Sequence, residues 1–170
     1  MKHSTLVLLL FSIGLLACVG PTSTPSSLPT IKHPTLRATV INVHDGDTIT
    51  VLVSESKEKV RLNGIDCPES NQPWGQQATQ LTRQLVDRKE VTVTDFGRDK
   101  YHRMIGQVVL SDGRNLGQEL VREGFCWWYQ KYAPNDTVLK QLEQEARDAK
   151  RGLWSDDHPI PPWEWRHQNR

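Results

Sequence analysis

Five short segments rich in β-branched residues constrain the fold of this 170-residue chain more than any other feature. They predict β-strands at residues 39–43, 48–53, 59–65, 91–96 and 105–110. Asp-Gly pairs that begin at Asp45 and Asp112 supply turn chemistry, because glycine accepts a positive φ without a Cβ clash. The chain therefore contains enough short strands for a sheet or a small barrel.

Amphipathic helices are predicted after the third strand, from apolar residues at helical spacing. They lie around residues 78–86, 115–124 and 139–149. In the third helix, Asp136 is a candidate N-cap and Gly152 a candidate C′ residue, and Pro159, Pro161 and Pro162 are predicted to end regular structure. Strands first and helices later, without βαβ alternation, predict an α+β fold with an antiparallel or mixed sheet, compatible with an OB-like barrel.

The N-terminus carries an apolar segment, residues 6–17, between Lys2 and Cys18. As a helix this segment would rise about 18 Å, too little for a hydrocarbon core of roughly 30 Å, so it predicts a signal peptide. The junction at Cys18 resembles the lipobox of bacterial lipoproteins, in which the cysteine becomes lipidated. Leu16 is bulkier than the residue usual at its position, so ordinary cleavage near Ala17 is the alternative.

The chain is thus divided into a signal peptide at 1–17, a tether rich in Pro, Ser and Thr at 18–35, and a folded domain at 36–170. We expect an exported protein, anchored in a membrane through lipid on Cys18, or alternatively secreted or periplasmic. We also expect a monomer.

Three cysteines are present, and lipidation of Cys18 would leave Cys67 and Cys126. An oxidising compartment permits a disulfide between these two. Two separate buried thiols are the favoured interpretation, with the disulfide as the alternative.

The formal net charge is +1, and removal of the segment that contains Lys2 leaves 20 basic against 20 acidic residues. A protein that coats nucleic acid by charge alone usually has a strong basic excess. Any phosphate contact must therefore come from a local cluster of cations.

Two acidic clusters follow predicted strands. One contains Asp45 and Asp47, and the other contains Asp66 and Glu69. An Asp-Gly turn alone usually has no further role, but two carboxylate loops at strand ends can converge. Arg61 lies on the strand before the second cluster, and another charged group ends at Arg103. Carboxylates for a hard cation and arginines for a bidentate phosphate grip are the components that phosphodiester hydrolysis needs.

In these residues and their order, the chain resembles the thermonuclease, or staphylococcal-nuclease-like (SNase), family over residues 39–154. The segments that carry the resemblance are DGDTITV from Asp45, VRLNGIDCPE from Val60, DKYHR from Asp99, DGRNLGQELVREG from Asp112 and YAPND from Tyr132. The resemblance implies a five-stranded OB-fold β-barrel with three helices, Ca²⁺ dependence, and cleavage of DNA and RNA to 3′-phosphorylated products.

The resemblance also implies roles for individual residues. Asp47 and Asp66 match carboxylate metal ligands, and Cys67 stands where a ligand contributes its backbone carbonyl. The residues that match the family's catalytic groups are Arg61, Glu69 and Arg103. Glu69 would orient or deprotonate the attacking water, and the arginines would bind the phosphate and stabilise the transition state.

The sequence departs from the family pattern at three positions. Cys67 replaces a threonine, His102 replaces a glycine, and Gln130 replaces an aromatic residue at the substrate, which leaves Tyr132 and Tyr101 as candidate substrate-binding residues. Lys100 is a further candidate, and Glu119 is a weaker one.

Two other classes of function stay open. One is a non-catalytic OB-type module that binds single-stranded nucleic acid, and the other is a structural envelope lipoprotein. Neither requires all five of the acidic and basic residues that match the family. For the aromatic run from Trp127 to Tyr129, and for Trp163 and Trp165, core packing is favoured over base stacking.

Overall fold

The structure is a computed structural model that describes residues 32–169. Five strands close into a barrel in the order β1-β2-β3-β6-β5. Their bounds are β1 Thr35–Val43, β2 Thr48–Val53, β3 Ser56–Leu62, β5 Glu90–Arg98 and β6 Met104–Leu110. Two further strands, β4 (Ile65–Asp66) and β7 (Trp127–Trp128), form a separate two-stranded sheet. All five predicted strands are confirmed, although the third ends at Leu62, residues 63–64 form a turn, and Ile65 belongs to β4.

The barrel is mixed in strand direction. The pairs β1–β2, β2–β3, β1–β5 and β5–β6 are antiparallel, whereas β3 and β6 pair in parallel, with Val60 opposite Met104 and Arg61 opposite Ile105. Val60 and Met104 are buried in the barrel. Because side chains alternate along a strand, Arg61 and Ile105 point to the outer face. The predicted α+β class with an OB-fold barrel is confirmed.

Within residues 32–169, the chain also forms four α-helices, and a 3-10 helix spans Gly152–Ser155. The α-helices are α1 Gly75–Val86, α2 Leu116–Arg122, α3 Thr137–Asp148 and α4 Pro162–Gln168. The side chain of Asp136 accepts a hydrogen bond from the amide of Leu139, 2.9 Å away, and so caps α3 as predicted.

The C-terminal part of the helix prediction is wrong in two respects. Pro161 and Pro162 do not end regular structure, because Pro162 begins α4, where a missing N–H costs no helical hydrogen bond. Gly152 is not the C′ residue of α3, since Lys150 takes the left-handed conformation there, with φ 50°. Gly152 is instead required by its close approach to Gly124, whose carbonyl a Cβ would overlap.

The barrel interior forms the main hydrophobic core. Its fully buried side chains include those of Val40, Ile49, Val51, Val60, Val93 and Val108. Helix α2 covers one end of the barrel with Leu116 and Leu120, which are also fully buried. Burial of side chains of this size contributes roughly 1.5–3 kcal/mol each before the entropy of ordering is subtracted.

A disulfide joins Cys67, just after β4, to Cys126, just before β7. The prediction of two separate thiols is therefore wrong. The sequence could not supply the reason, which is that β4 and β7 pair antiparallel, with Ile65 opposite Trp128 and Asp66 opposite Trp127. This register brings the two cysteine Cα atoms to 4.2 Å, and both residues are buried.

A second hydrophobic cluster contains Trp127, Ala146, Leu153 and Trp154, and Trp163 of α4 packs against it. The ring of Trp127 meets Trp154 edge-on at a centroid distance of 4.3 Å, and Trp163 at 5.7 Å. The packing role expected for Trp127 and Trp163 is confirmed.

Cys18, the signal peptide and most of the tether lie outside the described residues. Within residues 32–169, no helix combines the length and the apolar character needed to cross a membrane.

Candidate functional site

Asp47 lies in the turn between β1 and β2, and it is held against the chain segment that follows β4. Its Oδ2 accepts a hydrogen bond of 2.7 Å from the amide of Cys67, and its Oδ1 accepts one of 3.1 Å from the hydroxyl of Thr48. Gly46 permits this approach, because a Cβ there would lie 2.8 Å from the Cβ of Cys67. The turn therefore presses its carboxylate onto the second acidic loop.

Asp66 ends β4, and only 1% of its side chain is exposed. Arg61 on β3 joins it to Asp47: Nη2 of Arg61 lies 2.8 Å from Oδ1 of Asp66, and Nη1 lies 3.1 Å from Oδ2 of Asp47. One guanidinium thus bridges two buried carboxylates from loops that lie 19 positions apart in the printed sequence. The predicted convergence of the two acidic loops is present.

Backbone carbonyls hold the guanidinium of Arg61 in place. Its Nη1 donates to the carbonyls of Leu62, at 3.1 Å, and Ile65, at 2.9 Å. The planar fork of arginine, with its fixed donor directions, suits this set of acceptors better than the single ammonium of lysine. The side chain is 14% exposed, so one part of the group still reaches solvent.

Glu69 lies in the loop between β4 and α1, with 38% of its side chain exposed. Its carbonyl accepts from the amide of Gln72, at 2.8 Å, and its amide donates to Oε1 of Gln72, at 3.1 Å. Gly75 begins α1 directly beneath this loop, and a Cβ there would overlap the carbonyl oxygen of Glu69. A buried glutamine and a glycine therefore fix the backbone that carries Glu69.

Arg166 of α4 is a site residue that the sequence did not predict. Its Nη2 lies 2.7 Å from Oδ2 of Asp66, and its Nη1 lies 2.7 Å from Oε1 of Glu69. The sequence signal was Pro162, which can begin a helix as well as end regular structure, followed by an aromatic-rich turn. Arg166 brings Glu69 next to the pair of aspartates.

Arg103 lies beside this group rather than in contact with it. Because Ile105 pairs with Arg61, Arg103, two residues earlier, points to the same outer face of the barrel. Its guanidinium is held by Asp99, whose Oδ2 lies 2.7 Å from both Nε and Nη2 of Arg103. Oδ1 of Asp99 accepts from the amides of Tyr101, at 2.8 Å, and Arg103, at 2.9 Å. Asp99 therefore orders the loop that positions Arg103.

Lys100 and Tyr101 extend from the same loop, where Lys100 Nζ lies 4.9 Å from the ring centroid of Tyr101. His102, which replaces the glycine of the family pattern, adopts φ 61°. The backbone at this position is therefore in the left-handed conformation that favours glycine, although the residue is a histidine. Tyr132 lies in the segment between β7 and α3 and is 67% exposed. Its ring meets Tyr129 edge-on at a centroid distance of 4.9 Å, and Tyr129 stacks on Trp163.

Glu119 is paired with Arg114 and Arg122, which points to a structural role.

Burial raises the pKa values of two aspartates in the site. Burial and the neighbouring carboxylate of Asp47 raise the pKa of Asp45 to about 6. Burial also raises the pKa of Asp66, with a further contribution from Asp47, although hydrogen bonds from Arg166 and the charge of Arg61 oppose the shift. Added positive charge would stabilise the ionised form of both groups.

A hard divalent cation fits this donor set. Asp47 and Asp66 offer carboxylate oxygens from two rigid loops, and the backbone carbonyl of Cys67 follows directly in the chain. Within the described part of the chain, no group of three or more His, Cys, Asp and Glu side chains forms a metal cluster. Two carboxylates alone do not complete six to eight ligands, so water and substrate oxygens would have to supply the others.

The barrel, the converging carboxylates and the arginines define a phosphoryl-transfer type of site on an OB-fold. The family described as "Staphylococcal nuclease homologue" matches residues 59–156. The chain therefore belongs to the staphylococcal nuclease homologue family.

Several proteins that are similar in sequence to this chain are named as nucleases. The chain is 50% identical over 129 residues to an "Uncharacterized endonuclease" of Escherichia coli O157:H7, which covers 76% of this chain and 84% of that protein. It is 38% identical over 143 residues to "Micrococcal nuclease" of Shigella flexneri, covering 79% and 82%. It is also 38% identical over 143 residues to "Protein ParB" of Escherichia coli, covering 79% and 81%.

Proposed function

We propose that this protein is a calcium-dependent endonuclease that hydrolyses DNA and RNA to 3′-phosphorylated products. The observation that carries the proposal is the guanidinium of Arg61, which bridges Asp47 and Asp66 at 3.1 and 2.8 Å. Glu69 reaches the same Asp66 through Arg166. The relatives named as endonucleases and as micrococcal nuclease support the same class of reaction.

The residues that would hold calcium are Asp47, Asp66 and, through its carbonyl, Cys67. When bound, the ion supplies positive charge to a phosphate oxygen and lowers the barrier to attack on phosphorus. Calcium rather than magnesium is proposed because of the resemblance to the family, and magnesium would demand a tighter octahedral arrangement of its ligands.

Arg61 and Arg103 would bind the scissile phosphate. Both point to the outer face of the β3–β6 pair, and their planar guanidinium groups match phosphate oxygens. As water attacks, negative charge grows on the equatorial oxygens of phosphorus, and the two arginines stabilise that charge more than they stabilise the ground state.

Glu69 would orient the attacking water or take its proton. The water oxygen bonds to phosphorus while the bond to the 5′ oxygen breaks, and the 5′ oxygen leaves with a proton. The phosphate then remains on the 3′ oxygen. Lys100, Tyr101 and Tyr132 would contact the rest of the substrate, since their exposed cations and rings suit phosphates and bases.

The test is release of acid-soluble nucleotides from single-stranded DNA, in calcium and then in chelator. We expect activity in calcium and none in chelator. Glu69→Gln and Arg103→Ala should each lower kcat by about 10²-fold or more. Arg88→Ala is the matched control, because Arg88 is 75% exposed and pairs only weakly with its neighbour Asp87. Equal activity in chelator would refute the metal assignment.

The same assay separates catalysis from simple binding. A protein that retains single-stranded DNA on a filter but releases no nucleotides would be an OB-type binding module, and the endonuclease proposal would fail. The carboxylates argue against this alternative, because negative groups at a phosphate site weaken binding unless a cation offsets them.

We further propose that the protein is exported, carries lipid on Cys18 and acts as a monomer on nucleic acid outside the cytoplasm. The support is the apolar segment at 6–17 followed by cysteine. Mass spectrometry of the mature N-terminus should find a diacylglyceryl group on Cys18. An unmodified N-terminus near residue 18 would instead show ordinary cleavage.

A further inference from the structure

We propose that Arg166, supplied by the C-terminal helix α4, is a positioning residue that holds the carboxylate of Glu69 in place for the hydrolysis reaction. This inference rests on the proposed function. Nη1 of Arg166 lies 2.7 Å from Oε1 of Glu69 and 3.2 Å from Oδ1 of Asp66, so one nitrogen joins the two carboxylates. Nη2 completes the contact at 2.7 Å from Oδ2 of Asp66.

Aromatic packing anchors the helix that carries Arg166. Pro162 is buried at its first turn, and the ring of Trp163 stacks on Tyr129 at a centroid distance of 5.1 Å and an interplanar angle of 3°. Trp163 also meets Trp127 edge-on. Trp127 pairs with Asp66 in the two-stranded sheet. The contact between the rings of Trp163 and Trp127 therefore fixes the position of α4 relative to the strand that bears Asp66.

A second link joins the same C-terminal segment to the backbone of Glu69. The buried side chain of Gln72 accepts from the amide of Glu69, at 3.1 Å, and donates to the carbonyl of Ile160, at 2.7 Å. Glu69 is therefore supported twice from the C-terminal segment, at its amide through Gln72 and at its carboxylate through Arg166. Two independent contacts to one residue indicate positioning rather than an incidental surface ion pair.

Charge explains why Glu69 needs this support. Its carboxylate shares the guanidinium of Arg166 with the buried carboxylate of Asp66, and two negative charges held on one cation repel each other. The shared guanidinium offsets this repulsion. Arg166 contacts Oε1 of Glu69, and 38% of the Glu69 side chain is exposed, so a water molecule can approach the carboxylate.

The experiment compares the full-length mature protein with its Arg166→Ala, Arg166→Gln and Arg166→Lys variants. Gln168→Ala is the matched control, because Gln168 is an exposed residue on the same helix. We expect Arg166→Ala and Arg166→Gln to lower kcat by about tenfold or more, since small displacements of a catalytic group are costly, while KM changes by less than about threefold. Arg166→Lys should recover part of kcat, and Gln168→Ala should match the parent.

Two readouts do not depend on turnover. In a calorimetric titration, Arg166→Ala and Arg166→Gln should bind calcium at least as tightly as the parent, because they remove a positive charge beside the proposed ligand Asp66, so a lower kcat would not reflect lost metal. A crystal structure of metal-free Arg166→Gln should show the Glu69 carboxylate moved away from Asp66, with the Trp163–Tyr129 stack retained. A retained stack would show that the variant is folded and that the effect is local.

The inference is overturned if the parent is active and Arg166→Ala keeps its kcat. It is also overturned if kcat and calcium affinity rise together, because Arg166 would then be a self-inhibitory cation that competes for Asp66. If the parent protein shows no calcium-dependent hydrolysis, the proposed function is wrong. In that case the crystal structure of Arg166→Gln still tests whether Arg166 holds the carboxylate of Glu69 in place.

Discussion

Arg61 is the residue on which the geometry of the site depends. Its guanidinium contacts the carboxylates of Asp47 and Asp66 and the carbonyls of Leu62 and Ile65, all within 3.1 Å. A buried ion pair adds little net stability once desolvation is counted, but removal of one partner leaves uncompensated charge. Arg61 thus holds two acidic loops together that would otherwise repel each other.

Gly75 offers a test of how tightly the backbone of Glu69 is packed. Replacement by alanine should force the Glu69 loop to move, because the new Cβ would overlap the carbonyl oxygen of Glu69. We expect Gly75→Ala to lower the free energy of unfolding by roughly 1–3 kcal/mol and to lower kcat as well. Urea denaturation and the nuclease assay measure the two effects.

Gly117 provides the matched control for Gly75, because it is also a helical glycine. A Cβ there would meet its nearest neighbour, Oδ1 of Asn115, at 3.4 Å, which is ordinary contact. Gly117→Ala should leave stability unchanged or raise it by about 0.5–1 kcal/mol. Equal effects of the two substitutions would contradict the close packing inferred at Gly75.

Glu143 of α3 should make stability depend on pH. Burial raises the pKa of its carboxyl above the usual 4.5, although the charge of Arg147 and the amide of Trp128 oppose the shift. A carboxyl with a raised folded-state pKa contributes stability that is present below pH 4.5 and is lost as pH rises through the folded-state pKa. Glu143→Gln stays neutral and keeps the oxygen that accepts from Trp128.

The free energy of unfolding of Glu143→Gln should therefore increase relative to that of the parent as pH rises from about 4 to 7. Urea denaturation of both proteins at several pH values measures this difference. A difference that stays constant, or that falls with pH, would show that the ionised carboxylate is favoured in the folded protein.

At the scale of elements, the short β4–β7 sheet joins the acidic loop to the C-terminal half of the chain. The Cys67–Cys126 disulfide closes a loop with a sequence separation of 59. Loop closure of this size stabilises a folded chain by roughly 2–4 kcal/mol. We expect reduction, or the double substitution of Cys67 and Cys126 by alanine, to lower the melting temperature accordingly.

Calorimetry with and without reductant measures this effect, and the double alanine variant serves as its control because reductant should no longer change its melting temperature. Mass spectrometry after alkylation should find no free thiol at Cys67 or Cys126 in the untreated protein. Two alkylated cysteines, with no effect of reductant, would restore the original expectation of separate buried thiols.

Helix α4 shows where element prediction from sequence failed. The five barrel strands and helices α1 to α3 have clear periodicity or caps, and they were predicted close to their observed bounds. Pro161 and Pro162 were interpreted as the end of regular structure, but a proline at the first helical position removes no hydrogen bond. Local signals cannot distinguish these two roles, because the rings of Trp127 and Tyr129 that hold α4 are distant in sequence.

At the scale of the whole molecule, the site residues that lie on neighbouring strands could be predicted from sequence, and those that depend on contacts between distant segments could not. Asp47 lies directly before β2, Arg61 lies on β3, which pairs with β2, and Asp66 follows soon after Arg61 in the chain, so their convergence could be predicted. Arg166 and the disulfide depend on contacts between segments far apart in the chain. The position of Arg166 follows from packing against the second hydrophobic cluster, and that of the disulfide follows from the β4–β7 pairing. Periodicity carries no signal for either.

The near-zero net charge of the whole molecule predicts a weak dependence of nucleic-acid binding on salt. With a formal net charge of +1, no general basic field is present, and Arg61, Arg103 and Lys100 are the three phosphate contacts proposed. Three contacts to a single strand predict a slope of about −2.1 for the logarithm of the binding constant against the logarithm of salt concentration. Fluorescence anisotropy of a labelled oligonucleotide with the Glu69→Gln protein, in calcium, measures this slope. Arg103→Gln should reduce the magnitude of the slope by about 0.7, and the control Arg88→Gln should leave the slope unchanged. A slope steeper than about −4 would require an extended basic surface and would contradict a local phosphate site.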